Sequence, residues 1–215
     1  YIAIQTNLAF TTEHGVPRSF SVTSTRPSEG KSTTALAIGT MVARAGKRVI
    51  IIDGDMRSPS VHRLGGFELK RGVSNYLAGD DGYKSSIFHA DDLGLALMSV
   101  GPTPPNAAEL LTSNRMRELI ENLRADYDYV VVDSPPVMGL ADAPLIASHV
   151  EGVIYAVESN GCRATQIRTS LGRLAATDGN IVGAVLTKFE SSKVSYGYGY
   201  EYGYGYGRDE AKTVT

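Results

Sequence analysis

Short apolar runs punctuate the chain at 19–23, 48–52, 95–99, 129–132, 153–157 and 181–186. Several are continuous rather than alternating, as in strands covered on both faces of a parallel sheet. Between them lie stretches with helical spacing, at 32–45, 107–124, 141–148 and 165–175. Gly46-Lys47 reads as a helix stop, and Pro102, Pro104 and Pro105 mark a loop leading to Asn106, a fair N-cap. Strand alternating with helix predicts βαβ units and an α/β fold, doubly wound around a mostly parallel central sheet. In such folds ligands lie beyond the carboxyl ends of the strands. The pattern stops near Glu190, so residues 1–190 read as one domain and 191–215 as a flexible tail rich in Tyr and Gly. Five glycines between Tyr196 and Gly207 make a strand there costly.

Composition narrows the class. The 215 residues are 42% hydrophobic and 20% charged, with a formal net charge of −2. That balance excludes a disordered, collagenous or coiled-coil chain and argues against nucleic acid as the main partner. A lone cysteine, Cys162, excludes a disulfide framework and a zinc site built on several cysteines. The longest apolar runs, 49–52 and 129–132, are too short to span a bilayer, and no signal-peptide pattern opens the chain. The first residue is Tyr1 rather than Met, which reads as a fragment or a processed chain. Tyrosine is in excess, at 12 against 5 Phe and no Trp. Six of the twelve, Tyr196, Tyr198, Tyr200, Tyr202, Tyr204 and Tyr206, crowd the tail, where they are not core.

The first strand leads into Thr25-Arg26-Pro27-Ser28-Glu29-Gly30-Lys31-Ser32-Thr33, and a helix follows. Gly30-Lys31-Ser32 is the diagnostic end of a P-loop, or Walker A motif. Backbone N–H groups and the helix N-terminus point at phosphate oxygens. Gly30 admits close backbone approach, Lys31 carries a point charge for the β- and γ-phosphates, and Ser32 offers a hydroxyl to Mg²⁺. Thr25 stands where the strict pattern has its first glycine. All nine residues are candidates for binding ATP.

Two further strands end in carboxylates: 50–52 runs into Asp53-Gly54-Asp55-Met56-Arg57, and 130–132 into Asp133-Ser134-Pro135-Pro136. Carboxylates so placed hold Mg²⁺ directly or through water, or accept a proton from a nucleophile. Mg²⁺ needs only one or two of them beside phosphates, which leaves one free for base chemistry.

Together, the P-loop, the Asp53-x-Asp55 strand and the Asp133-Ser134-Pro135-Pro136 strand resemble the bacterial tyrosine kinases, the cytoplasmic kinase domains of polysaccharide co-polymerases. The resemblance covers nearly the whole chain. It includes Thr6-Asn7-Leu8-x-Phe10, Asp53-x-Asp55-Met56-Arg57-x-Pro59 with His62, and Gly72-Val73-Ser74-x-Tyr76-Leu77. It continues through Gly101-Pro102-x-Pro104-Pro105-Asn106, Glu109-Leu110-Leu111 and Asp142-Ala143. It implies a P-loop NTPase-like fold and an ATP- and Mg²⁺-dependent tyrosine autokinase that regulates exopolysaccharide or capsule synthesis or export. Lys31 and Ser32 would bind phosphate and metal, Asp55 and Asp133 would arrange Mg²⁺, and Asp53 would orient or deprotonate the incoming phenol. The catalytic set would be Asp53, Lys31 and Asp55, and the metal set Ser32, Asp55 and Asp133. The tail tyrosines would be autophosphorylation sites on neighbouring subunits of a homo-oligomer. A membrane activator segment, in the same or a separate chain, would hold the domain at the cytoplasmic face of the membrane.

Departures from the family pattern are specific. Ile2 and Gln5 stand where the family's opening helix carries arginines that join neighbours in a ring. Thr187 stands where an Asn recognises adenine, and Arg26 where ParA- and MinD-type ATPases place a signature Lys. A ParA/MinD-like switch ATPase that dimerises on ATP is the rival reading, and a non-catalytic scaffold with a tethering tail the third.

Overall fold

The computed structural model describes residues 15–68 and 70–190. Seven strands form one sheet: β1 (Ser19–Ser24), β2 (Val49–Asp53), β3 (Ile87–Ala90), β4 (Leu95–Met98), β5 (Tyr129–Asp133), β6 (Gly152–Glu158) and β7 (Ile181–Thr187), in the order β3-β4-β2-β5-β1-β6-β7. Every neighbouring pair is parallel except β3 and β4. The helices are α1 (Lys31–Arg44), α2 (Val61–Gly65), α3 (Val73–Leu77), α4 (Ala107–Thr112), α5 (Arg115–Asp126), α6 (Asp142–Ala147) and α7 (Ala164–Ala175).

The unbroken apolar runs lie at the centre of this sheet. Ile50, Ile52, Val130 and Val132 face one layer, where Met116, Leu119 and Leu123 of α5 cover them. Val49, Ile51, Val131, Phe20 and Val22 face the other and pack with Ala35, Ile38 and Val42 of α1. Burial on both faces is why β2 and β5 need no polar alternation. The doubly wound, mostly parallel sheet is the one that the strand–helix alternation predicts.

Some elements differ from the expectation. β3 has no apolar signature because it is an antiparallel edge strand whose Phe88 and His89 are exposed. The helix expected over 107–124 is two helices. Ser113 between them turns extended, with ψ 153°, and its hydroxyl donates to the Leu110 carbonyl at 2.6 Å. Such local side-chain bonds compete with the helical ladder. The one-turn helices α2 and α3 have too few residues to show a period. The opening segment with Ile2, Gln5 and 6–10, and the tail with Tyr196, Tyr198, Tyr200, Tyr202, Tyr204 and Tyr206, lie outside the described residues. Among the described residues no helix is long and apolar enough to cross a membrane.

The order β2-β5-β1 sets three carboxyl ends side by side. Asp53 and Val22 are both register partners of Asp133. The loops that leave these ends build the site.

Candidate active site

The loop after β1 is held from within. Ser24 Oγ donates to the Arg26 carbonyl at 2.7 Å, and Arg26 N–H donates to the buried Glu29 carboxylate at 2.8 Å. Ser28 and Gly30 both take positive φ, 64° and 87°. Gly30 is fixed twice over: a Cβ there would meet Thr187 Cγ2 at 3.2 Å, on top of the left-handed backbone. Thr187, at the end of β7, closes the loop from the side by donating to the Glu29 carbonyl at 2.7 Å. Beneath it, Thr25 Oγ1 and Tyr155 OH share a buried hydrogen bond of 2.8 Å. The segment after β5 docks on the same loop through Val137 N–H to Ser24 O and Met138 N–H to Thr25 O. Lys31 opens α1 and is buried.

Two cavities flank the loop. One, of about 480 Å³, is lined by Pro27, Ser28, Gly30, Lys31, Ser32 and Thr33 and faced by Asp55, Arg57, Ser58, Ser60, Arg63, Pro136, Leu140 and Lys188. The other, of about 400 Å³, shares Gly30, Thr33 and Lys188 and is walled by Thr34, Val185, Leu186, Thr187 and Phe189. Thr25 and Glu29 line neither cavity. They face the interior and support the loop.

The three aspartates differ in surroundings. Asp53 is buried, and its carboxylate accepts from three backbone N–H groups: Asp55 at 3.1 Å, Ser60 at 2.8 Å and Val61 at 2.9 Å. Burial, with the Asp133 charge second, pushes its pKa up to about 7 against the pull of those bonds. As placed here it lies behind the cavity wall and binds the backbone of the loop that follows it. Asp55 lines the cavity, its Oδ1 accepting from Arg57 and Ser58 N–H at 3.2 and 2.9 Å. Of the two, Asp55 lines this cavity and Asp53 does not. Asp133 is buried, and burial raises it to about 6 despite the Ser32 and Ser60 hydroxyls and the Lys31 charge.

Three residues escaped the sequence reading of the site. Ser60 Oγ lies 2.9 Å from both Ser32 Oγ and Asp133 Oδ2. Arg57 reaches from the cavity wall to the buried Asp142, its Nε donating at 2.9 Å and its second nitrogen at 3.4 Å. Lys188, at φ 51°, pairs with Glu158 at 2.8 Å on the rim of both cavities. The chain signals none of these by spacing; each contact joins residues 28 or more positions apart.

The donor set suits magnesium. Asp133 Oδ1 is buried with no hydrogen-bond partner among the described residues, an acceptor fit for a metal-bound water. Beside it stand a hydroxyl, Ser32, and a second carboxylate, Asp55, and Mg²⁺ characteristically takes one or two carboxylates with waters and phosphate oxygens.

The family model described as "AAA domain" matches residues 20–162. The chain is 34% identical over 198 residues to the tyrosine-protein kinase YwqD of Bacillus subtilis, covering 92% of this chain and 84% of that protein. It is 33% identical over 197 residues to the Escherichia coli tyrosine-protein kinase etk, covering 90% of this chain and 27% of that longer protein. The solved kinase domain of that E. coli kinase superposes with a TM-score of 0.79 at 31% identity, over 86% of this chain and 73% of that one. MinD of Aquifex aeolicus shares the fold, with a TM-score of 0.66 at 22% identity over 82% of this chain and 71% of that chain.

Proposed function

The chain belongs to the bacterial tyrosine-protein kinases, and we propose that it phosphorylates the tail cluster Tyr196, Tyr198, Tyr200, Tyr202, Tyr204 and Tyr206 of neighbouring copies of itself. One observation carries this reading. A phosphate loop, a buried lysine and a cavity-facing carboxylate converge on one cavity, in a chain whose own tail supplies six phenols.

In this reading ATP lies along the loop, its phosphates at the N-terminus of α1 and Lys31 and its base toward the cavity walled by Thr187 and Phe189. Ser32 and Asp133 would hold Mg²⁺, which when bound offsets the charge of the β- and γ-phosphates, and Asp55 beside them is left free for base chemistry. Asp55 orients the phenol and takes its proton; a phenol with an ordinary pKa near 10 needs such help at neutral pH. Asp53 fixes the loop that presents Asp55. The regulated process is exopolysaccharide or capsule synthesis or export. Its membrane activator is a segment of this chain or of another, and the domain works at the cytoplasmic face of the membrane.

Incubation with ATP and Mg²⁺ followed by intact-mass spectrometry tests the reading. Mass increments of phosphate mapping to 196–206 are expected, and none in Lys31→Met. A wild-type protein that binds ATP yet gains no phosphate is the result a MinD-like switch ATPase would give.

A further inference from the structure

Ser60 is the N-cap residue of α2, a position where serine ordinarily turns its side-chain oxygen onto the backbone N–H groups of the first turn. Here it makes no such bond. Its backbone is nonetheless held firmly. Its N–H donates to Asp53 Oδ2 at 2.8 Å, and its carbonyl accepts from Arg63 and Leu64 at 3.1 Å each. The hydroxyl that this leaves over is aimed into the cavity, 2.9 Å from Ser32 Oγ and 2.9 Å from Asp133 Oδ2.

We propose that Ser60 is a third protein oxygen of the magnesium site, completing Ser32 and Asp133 from the loop that follows β2. This rests on the reading that Mg²⁺ and nucleotide bind at the phosphate loop.

Spacing and chemistry carry the inference. Ligands at 2.0–2.1 Å on neighbouring corners of an Mg²⁺ octahedron stand about 2.9 Å apart. The Ser60–Ser32 and Ser60–Asp133 separations have that value. The same three oxygens therefore satisfy one another by hydrogen bonding without metal and suit a shared metal or its water with it. The two hydroxyl protons serve the two contacts in turn, Ser32 to Ser60 and Ser60 to Asp133 Oδ2, and neither reaches Asp133 Oδ1. Asp133 Oδ1, buried and without a partner, marks the same spot as short of donors. A metal-bound water would supply the donor that Asp133 Oδ1 lacks. Because Asp53 holds the Ser60 N–H, Ser60 also links that buried carboxylate to the metal.

Titration of Mg²⁺ against the intact protein with ADP as probe tests the role, with ADP affinity read by calorimetry both in Mg²⁺ and in EDTA. Ser60→Ala is expected to raise the Mg²⁺ concentration needed for tight ADP binding by about 10-fold or more, the loss typical of a group supporting a metal site. Its ADP affinity in EDTA should stay within about twofold of wild type, the precision within which independent effects are separable. Ser60→Thr, which keeps the hydroxyl, should restore the Mg²⁺ dependence. An unchanged or tightened Mg²⁺ dependence in Ser60→Ala overturns the proposal. So does an equal loss with and without Mg²⁺, which would mark Ser60 as structural support only. Wild-type ADP binding indifferent to Mg²⁺ would overturn the nucleotide–metal reading as well, whereas Mg²⁺-dependent ADP binding without autophosphorylation would count against the kinase substrate alone.

Discussion

Asp53 and Asp133 are register partners on adjacent parallel strands, two buried carboxylates side by side at the ends of β2 and β5. Both are raised, to about 7 and about 6, chiefly by burial. The folded protein thus holds protons that the unfolded chain has already released. Their contribution to stability is least unfavourable at acid pH and worsens as pH rises from about 4 toward about 7. In EDTA, Asp133→Asn should melt above wild type at pH 8, and the gap should narrow as pH falls toward about 4. Melting curves across that range check the sign, and a wild type more stable than the variant at pH 8 would refute it.

Gly30→Ala should destabilise the fold and weaken ADP binding together. The backbone at φ 87° costs an L-residue about 1–2 kcal/mol. The new methyl would also press on Thr187 Cγ2 at 3.2 Å. Urea unfolding and nucleotide titration on one preparation measure both.

Arg57 and Asp142 should respond unequally. Asp142 is buried while Arg57 is half-exposed. Removing the arginine strands a buried carboxylate, whereas removing the carboxylate leaves an arginine that water can solvate. Arg57→Ala is expected to cost more than Asp142→Asn, by about 1–3 kcal/mol for the unsatisfied buried group. Equal losses in chemical denaturation would contradict the asymmetry.

Thr25 and Tyr155 should be coupled. Tyr155→Phe leaves the buried Thr25 hydroxyl without its partner, at about 1–3 kcal/mol, whereas Thr25→Val leaves the Tyr155 hydroxyl beside Ser170 and should cost less. The double variant should lose less than the sum, and a double-mutant cycle reads the difference. ADP affinity should fall with each single change, since Thr25 is part of the loop.

The parts of this molecule legible from the chain are those where one local rule acts alone. The runs ending at Asp53 and Asp133 announce strands because both faces of β2 and β5 are covered. Gly30-Lys31-Ser32 announces a phosphate loop because backbone amides must reach an anion. β3 was not legible because an edge strand need not be apolar, and the break at Ser113 was not because a single hydroxyl bond decides it. The neighbours of Asp53 were not legible either. Its carboxylate is directed by N–H groups of the following loop, and nothing in Asp53-Gly54-Asp55 says which of the two acids faces the cavity. Ser60 reads as one more serine in a polar stretch until folding brings Ser32 and Asp133 to it.

Lys188 lines both cavities at the phosphate loop and Phe189 one of them, and the tyrosine cluster begins seven residues further along the chain. Covalent geometry alone then grades the tail's reach. A fully extended chain from Phe189 carries Tyr196 at most about 25 Å and Tyr206 at most about 60 Å. Each step of two residues between adds about 7 Å. On the proposed transfer between copies, chain length alone would let the outermost phenols reach a second molecule's cavity at larger separations than the innermost, so the pattern of modified tyrosines would record how near the partners stood.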